Sequence, residues 1–330
     1  MKHSAPDFAG LYARLSEAVS RRSVSAADMI SRWQRLFADI SEGQCPIPGS
    51  LLTKLSRASG ISEANLAEGI RLQCSGWARC DRDPARWPAP SKIVRVAIVA
   101  AGNIPGVAVA PAVLLAAAGL PVVVKLARTE QWVLPWLLDC FHRRHPDLPT
   151  GIYADYWPAD SEAIYQLLQT AERIIAFGHT QTIRQLQEHH PGKVLGFGHK
   201  FTVAYVAPAA FTPQAAKELA KDIVLYNQSG CLSVQAVFVQ GDAGTAERVA
   251  AVLGNELDRL VNHLGGLALP PAAIMKRHAL RDTLDLLGLK CWHGAKLEWL
   301  VALVPEFSLE RLLGGNVVQV IPVHSAEEAF

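Results

Sequence analysis

The sequence has almost no excess of charge of either sign. Its 32 Lys and Arg stand against 30 Asp and Glu, a formal net charge of +2 with histidines neutral. Tight binding to nucleic acid or to an anionic membrane depends on many uncompensated cations, so this balance points instead to a small-molecule ligand. Cysteine is sparse and irregular: Cys45, Cys74, Cys80, Cys140, Cys231 and Cys291 form no CxxC pair and no His-Cys grouping with zinc-site spacing. That spacing predicts reduced thiols, no metal and a cytoplasmic protein. The 11 histidines form no triad at helical spacing, and adjacent His189 and His190 read as a solvated helix end. The start, MKHSAPDFAG, has no apolar core of signal-peptide length. Several familiar fingerprints are also missing: GxxxxGK[ST], a GxGxxG opening a helix after a strand, GxSxG and HExxH.

What is present is an ordinary globular composition, 50% hydrophobic and 19% charged over 330 residues. A length prior of about 150 residues per domain suggests two domains. One stretch, Val96 to Val124, carries no charge and is long enough to cross a bilayer, but Gly102, Asn103, Pro105, Gly106, Pro111, Gly119 and Pro121 break it up. A buried strand, turn, helix and strand fits those breakers better, so no membrane span is expected.

Residues 1–90 read as a helical N-terminal region, with helical spacing over Phe8 to Val19, Ala26 to Ile40 and Ser62 to Leu72, closed by a loop from Asp83 to Pro90. Strands and single helices alternate from Arg95. Strands are predicted at 95–100, 121–126, 151–157 and 173–177, with helices from Pro111 to Gly119, at 133–144, at 161–170 after a possible Asp160 cap, and at 181–190. Two short strands flank GFGHKF. This alternation implies parallel βαβ units with ligands at the carboxyl ends of the strands. A second α/β region follows, with the helix from Thr212-Pro213, the loop YNQSGCLS, a strand at 234–239, helices at 245–263 and 272–287, and strands near 289–293, 297–304 and 317–323. The expected division is 1–90 helical, 91–206 cofactor-binding and 207–330 catalytic.

Two polar loops remain as sites for chemistry. Ala101-Gly102-Asn103-Ile104-Pro105-Gly106 places an amide donor just past a strand and before a helix, whose free N–H groups favour developing negative charge. Asn227-Gln228-Ser229-Gly230-Cys231-Leu232-Ser233 holds a thiol among small residues. A cysteine is more often a small buried hydrophobe than a nucleophile, and an isolated Asn is more often a turn residue, so neither loop is specific alone.

Together and in order they resemble the aldehyde dehydrogenase superfamily, and within it the LuxC-type fatty acyl-CoA reductases. VAIVAAGNIPG with PAVLLAAAGLPVVVKLAR is similar to the superfamily's strand, asparagine loop, helix and lysine strand. IIAFGHTQTIRQL resembles its second phosphate-facing strand and helix, GFGHKFTVAYV the crossing into the catalytic domain, YNQSGCLSVQAVFV the nucleophile loop, and VVQVIPVHSAEEAF a later segment. The resemblance spans residues 93–330 and implies an aldehyde dehydrogenase-like α/β fold, with a Rossmann-like parallel-sheet cofactor domain, an α/β catalytic domain and a C-terminal part shorter than in the family. It implies Cys231 as nucleophile, Asn103 as oxyanion donor beside the Cys231 backbone N–H, Lys125 on the adenosine ribose, and Gly178, His179 and Thr180 near the cofactor pyrophosphate.

Three departures refine this. Gly196 stands where hydrolytic members carry the glutamate that activates water, so a thioacyl-enzyme is not readily hydrolysed and acyl-CoA reduction is favoured. Arg128 stands where an acid often binds the ribose hydroxyls of NAD, and a guanidinium there favours NADPH. The glutamate that holds the nicotinamide ribose falls near Leu312, with Glu310 and Glu306 as displaced candidates. The expectation is an NADPH-dependent acyl-CoA reductase forming an aldehyde through thioacyl-Cys231, with His199 or Lys200 as candidate helpers of the thiol. The alternatives are reduction of an acyl phosphate or acyl-carrier-protein thioester, or a non-catalytic, partner-dependent subunit. A homo-oligomer, or a complex with an acyl-handling partner, is expected.

Overall fold

A computed structural model describes residues 6–80, 94–265 and 269–329. The expected loop from Asp83 to Pro90 lies outside them. The chain divides into two compact units, Met1–Ser59 with Ile70–His199, and Gly60–Gly69 with Lys200–Phe330.

The first unit opens with helices α1 (Phe8–Ser20), α2 (Ala26–Ser41) and α3 (Gly49–Ser59) and includes the later part of α4 (Glu63–Ala78). Helix α2 starts at a capping box, in which the Ser25 hydroxyl accepts from the Asp28 N–H and the Asp28 carboxylate reaches back to the Ser25 N–H. Its apolar face buries Met29, Ile30, Trp33, Leu36, Phe37 and Ile40, and Trp33 stacks on Phe141 at 4.4 Å and 17°.

Strands and helices then alternate: β1 (Val96–Val99), α5 (Val109–Ala117), β2 (Val122–Leu126), α6 (Val133–Arg144), β3 (Ile152–Tyr156), α7 (Glu162–Thr170), β4 (Arg173–Phe177), α8 (Thr180–His189) and β5 (Val194–Phe197). The five strands form one parallel sheet in the order β3-β2-β1-β4-β5. The order reverses between β1 and β4, and a doubly wound sheet opens its ligand crevice outside the carboxyl ends of the strands at such a point. Helices α1, α7 and α8 bury Leu11, Leu167 and Ile183 against Ala97, Val123, Ile174 and Ala176 on one face.

The second unit contains β6 (Thr202–Val206), α9 (Pro213–Val224), β7 (Val234–Gln240), α10 (Ala243–Leu264), α11 (Pro271–Leu286), β8 (Cys291–His293), β9 (Leu300–Leu303) and β10 (Val317–Val323). The sheet order is β6-β7-β10-β9-β8, parallel except for the antiparallel β8–β9 pair. Helices α9 and α10 cover one face through Ile223, Val224, Leu253 and Leu257 packed on Val237, Val301 and Val320. Leu284 of α11 packs on the other face with Ala236, Leu300 and Ile321.

Several expectations change. Helix α3 fills the region where Pro46, Pro48 and Gly49 suggested only a break, because the prolines precede the helix and the Pro48 carbonyl accepts from Leu51 and Leu52. Ser161, not Asp160, is the N-cap of α7, and it makes no side-chain cap bond. His190 is buried rather than solvated. Among the described residues, no helix is long and apolar enough to cross a membrane.

Trp33 is 1% exposed and closes α2 onto α6. Trp33→Ala is expected to cost about 3–5 kcal/mol in chemical denaturation, as for other large-to-small core changes; a loss below about 1 kcal/mol would contradict this packing.

Candidate active site

In the first unit the asparagine loop leaves the carboxyl end of β1 and exposes Asn103. Its backbone is held from below by the turn after β2. The Thr129 hydroxyl donates to the Gly102 carbonyl at 2.9 Å. A Cβ on Gly102 would fall on that hydroxyl and 2.8 Å from Ala127 Cβ, so the close approach requires glycine.

Next to Thr129, the 3% exposed Glu130 carboxylate accepts from the N–H groups of Gly106 (3.3 Å), Trp132 (3.2 Å) and Val133 (3.0 Å). Burial pushes its carboxyl pKa above the usual range, while the three N–H bonds pull in the opposite direction. One side chain thereby ties the end of the asparagine loop to the first turn of α6. Sequence reasoning missed Glu130, because a charged residue between a strand and a helix normally reads as solvated.

Lys125 lies one residue before the end of β2, half-buried, with its ammonium 5.7 Å from the centre of the Tyr156 ring. Burial lowers its pKa. Tyr156 is a second residue missed from sequence. Arg128 is exposed, its carbonyl accepts from the Gln131 side chain at 2.9 Å, and among the described residues its guanidinium has no ion-pair partner.

Gly178, His179 and Thr180 follow β4, so they and the asparagine loop leave neighbouring strands at the point where the strand order reverses. His179 is the N-cap of α8 and makes no side-chain cap bond, which leaves the first-turn N–H groups for an anion. A Cβ on Gly178 would meet nothing within 4 Å, so the backbone there is open to approach. An open groove of about 500 Å³ runs along α7 and α8, lined by Ile164, Tyr165, Leu168, Thr182, Gln185 and Leu186 among others and reaching His190 past the end of α8. At Gly196 in β5 an added Cβ would overlap Ile183 Cγ2, so this position holds glycine for packing and has no room for a carboxylate side chain without repacking.

In the second unit, Cys231 is exposed at the amino ends of β6 and β7, and its carbonyl accepts from the Thr202 hydroxyl at 2.8 Å. The thiol loop leaves α9 through an unusual backbone turn. Tyr226 (φ 53°, ψ 26°), Asn227 (φ 53°, ψ 41°) and Gln228 (φ 60°) are all left-handed, and none is glycine. Left-handed backbone costs an L-residue roughly 1–2 kcal/mol, so such a run persists only under outside constraint.

Two buried carboxamides supply that constraint. Asn65 of α4 accepts from the Tyr226 N–H at 2.8 Å and donates to the Val224 carbonyl at 3.0 Å. The Gln228 side chain, 5% exposed, donates to the carbonyls of Val234 (2.6 Å) and Val317 (3.0 Å) and accepts from the N–H groups of Asn316 (3.0 Å) and Val317 (3.2 Å). Its two donors and two lone pairs are all used. Gly69 lets α4 approach the Tyr226 ring closely, since a Cβ there would overlap the ring Cζ.

The partner segment is itself left-handed at Gly314, Gly315 and Asn316. Buried Arg277 holds it by donating to the Gly314 carbonyl at 3.2 Å, to that of Gly315, and to that of Leu297 at 2.5 Å. Burial lowers the Arg277 pKa to about 10, with Glu298 acting in the opposite direction. Glu310 lies in a short 3-10 turn at Leu309–Arg311 and lines a shallow groove beside α11, followed by Leu312. Glu306, His199 and Lys200 are exposed.

Glu130→Ala would leave three N–H groups, two of them buried, without an acceptor. An unfolding free-energy loss of at least about 2 kcal/mol is expected by denaturant titration, with Glu130→Gln, which keeps a carbonyl acceptor, losing less; equal losses for the two variants would contradict the bonding described.

Comparison with known proteins agrees with this architecture. The family described as Acyl-CoA reductase (LuxC) matches residues 84–330. The long-chain acyl-protein thioester reductase of Vibrio harveyi is 31% identical over 102 residues, 30% of this chain and 21% of that protein. Long-chain acyl-protein thioester reductase 2 of Photobacterium leiognathi is 27% identical over 128 residues, 37% and 27% of the two chains. The matched segments thus take up a fifth to about a quarter of these relatives' length.

Among solved structures, a putative methylmalonate-semialdehyde dehydrogenase from Sinorhizobium meliloti complexed with NAD gives a TM-score of 0.64 at 14% identity, covering 98% of this chain and 72% of that one. An aldehyde dehydrogenase C mutant from Pseudomonas syringae, in complex with NAD+ and octanal, gives 0.63 at 14% identity, covering 99% and 74%. These likenesses establish the aldehyde dehydrogenase-like α/β fold, with one parallel and one mostly parallel sheet. With the family profile extending over three quarters of its length, the chain belongs to the acyl-CoA reductase (LuxC) family.

Proposed function

We propose that this protein reduces a long-chain acyl thioester to the aldehyde, with NADPH as reductant and Cys231 as the covalent nucleophile. The observation that carries the reading is the exposed Cys231 thiol on a loop whose backbone is fixed from both sides, in a chain of an acyl-CoA reductase family.

The residues present fit a dinucleotide. The open first turn of α8 after Gly178, His179 and Thr180 suits a pyrophosphate, the α7–α8 groove suits a flat base, and Lys125 and Arg128 provide cations near the carboxyl end of β2. The exposed guanidinium of Arg128 favours a 2′-phosphate, hence NADPH over NADH.

Cys231 Sγ attacks the thioester carbonyl carbon. The Asn103 amide and the Cys231 backbone N–H donate to the oxyanion, which concentrates stabilisation where charge develops. The bond from carbon to the carrier sulfur breaks, and the carrier leaves as its thiol, taking a proton. When bound, the dinucleotide supplies the hydride that reduces the thioacyl carbon. The resulting thiohemiacetal on Cys231 then loses its C–S bond, releasing aldehyde and restoring the thiol. Glycine at position 196, packed against Ile183, offers no carboxylate to activate water, so the thioacyl group is kept for reduction rather than hydrolysis.

The acyl carrier is either coenzyme A or a protein thiol. The name shared by the Vibrio and Photobacterium relatives favours a protein-bound acyl group. Rates with a long-chain acyl-CoA and with the same acyl group on a protein thiol would distinguish the two.

Cys231→Ala is expected to abolish aldehyde formation while NADPH binding measured by fluorescence titration survives. Aldehyde formation at the full rate in that variant would refute the covalent route. Arg128→Glu is expected to raise the KM for NADPH roughly tenfold or more while leaving that for NADH near its starting value, the scale of a lost charge-assisted bond; unchanged discrimination would remove Arg128 from the cofactor assignment.

A further inference from the structure

We infer that Gln228 is a positioning residue for the nucleophile: its carboxamide latches the left-handed turn before Cys231 to the left-handed segment 314–316, and this latch sets the Cys231 backbone for attack on the thioester. The inference rests on the reading of Cys231 as nucleophile and extends it to the device that presents the thiol.

The geometry is specific to a carboxamide. Gln228 Oε1 accepts from Asn316 and Val317, while Nε2 donates to Val234 and Val317, which binds the chain three residues after Cys231 to the start of β10. A hydrocarbon of the same size supplies none of these four bonds. A carboxylate keeps the two acceptor bonds but confronts two carbonyl oxygens with negative charge, and only protonation gives it one O–H to donate.

The latch has a matching anchor on each side. Upstream, Asn65 bonds Tyr226 and Val224, and Gly69 leaves room for the Tyr226 ring. Downstream, Arg277 fixes the carbonyls of Gly314 and Gly315, and so the backbone that offers the Asn316 N–H to Gln228. A continuous polar path therefore runs from Asn65 through Gln228 to Arg277, with the thiol loop at its middle. Because Gln228 is buried and Cys231 exposed, Gln228 acts through backbone placement and has no part in the chemistry itself.

The test uses the full chain and follows acylation of Cys231 by a long-chain acyl-CoA without reductant, by intact-protein mass spectrometry from pH 5.5 to 8.5, beside thermal melting and NADPH titration. Gln228→Leu is expected to acylate at least about tenfold more slowly with its NADPH affinity unchanged, the scale set by a small misplacement of a reacting group. Gln228→Glu is expected to acylate best relative to wild type in acid and to fall progressively behind it as the new carboxyl ionises.

A merely structural role would lower the melting temperature of both variants and leave the shape of the profile as in wild type; that result overturns the inference. Should Gln228→Leu fail to fold, Asn65→Ser and the pH profile of Gln228→Glu decide: slowing with Asn65→Ser and a deficit for Gln228→Glu that widens as pH rises support the latch, and wild-type kinetics in either refutes it. Acylation of wild type that maps away from Cys231 overturns the nucleophile reading and the latch with it, whereas normal acylation at Cys231 in Gln228→Leu removes the latch alone.

Discussion

Three successive side-chain-bearing residues, Tyr226, Asn227 and Gln228, hold a backbone conformation that L-amino acids avoid, and the presentation of Cys231 depends on what keeps them there. At roughly 1–2 kcal/mol each, the turn costs about 3–6 kcal/mol relative to relaxed backbone. The six hydrogen bonds of Asn65 and Gln228 to this turn and its neighbours contribute about 0.5–1.5 kcal/mol apiece, a sum of the same order. Both carboxamides contribute, so the conformation is a joint property of α4, the thiol loop and the start of β10. Strain held this way belongs to the folded structure and needs no ligand to create it.

The first unit solves a similar problem without strain. Asn103 is exposed, yet the backbone that carries it is fixed by Thr129 from one side and by the buried Glu130 carboxylate from the other. In both units the side chain assigned to chemistry reaches solvent, while a buried polar side chain with no chemical role fixes the main chain beneath it. Catalysis by oriented dipoles benefits from such an arrangement, because donors already in place need not reorganise when charge develops. Glycine serves the same end at two places: Gly102 in the asparagine loop admits Thr129, and Gly69 in α4 admits Tyr226.

How much of this could be read from sequence depended on the range of the interaction. Strand β4 and helix α6 have the bounds that periodicity predicts, because apolar spacing reports burial directly. Helix α3 was hidden by two prolines that end just before it, since a proline is read as a break whether it precedes a helix or interrupts one. Both polar loops were legible, because small residues and amides mark them, and a family resemblance tied them together. Their supports were not. Gln228 finds Val317 89 residues away and Asn65 finds Tyr226 161 residues away, and no local pattern carries such pairings. Left-handed backbone at Tyr226 and Asn227 is likewise invisible where no glycine marks it. Strand β6 follows β5 closely in the chain, yet pairs in the other sheet, a choice made by tertiary packing alone.

The proposed chemistry rests on the covalent use of one thiol among six. Proteolytic peptide mapping, after the protein meets a long-chain acyl thioester in the absence of reductant, tests it most directly. A single acyl group is expected on the peptide containing Cys231, discharged as aldehyde when NADPH is added. An adduct on any other cysteine, or aldehyde produced by a protein that never carries the acyl group on Cys231, would contradict it.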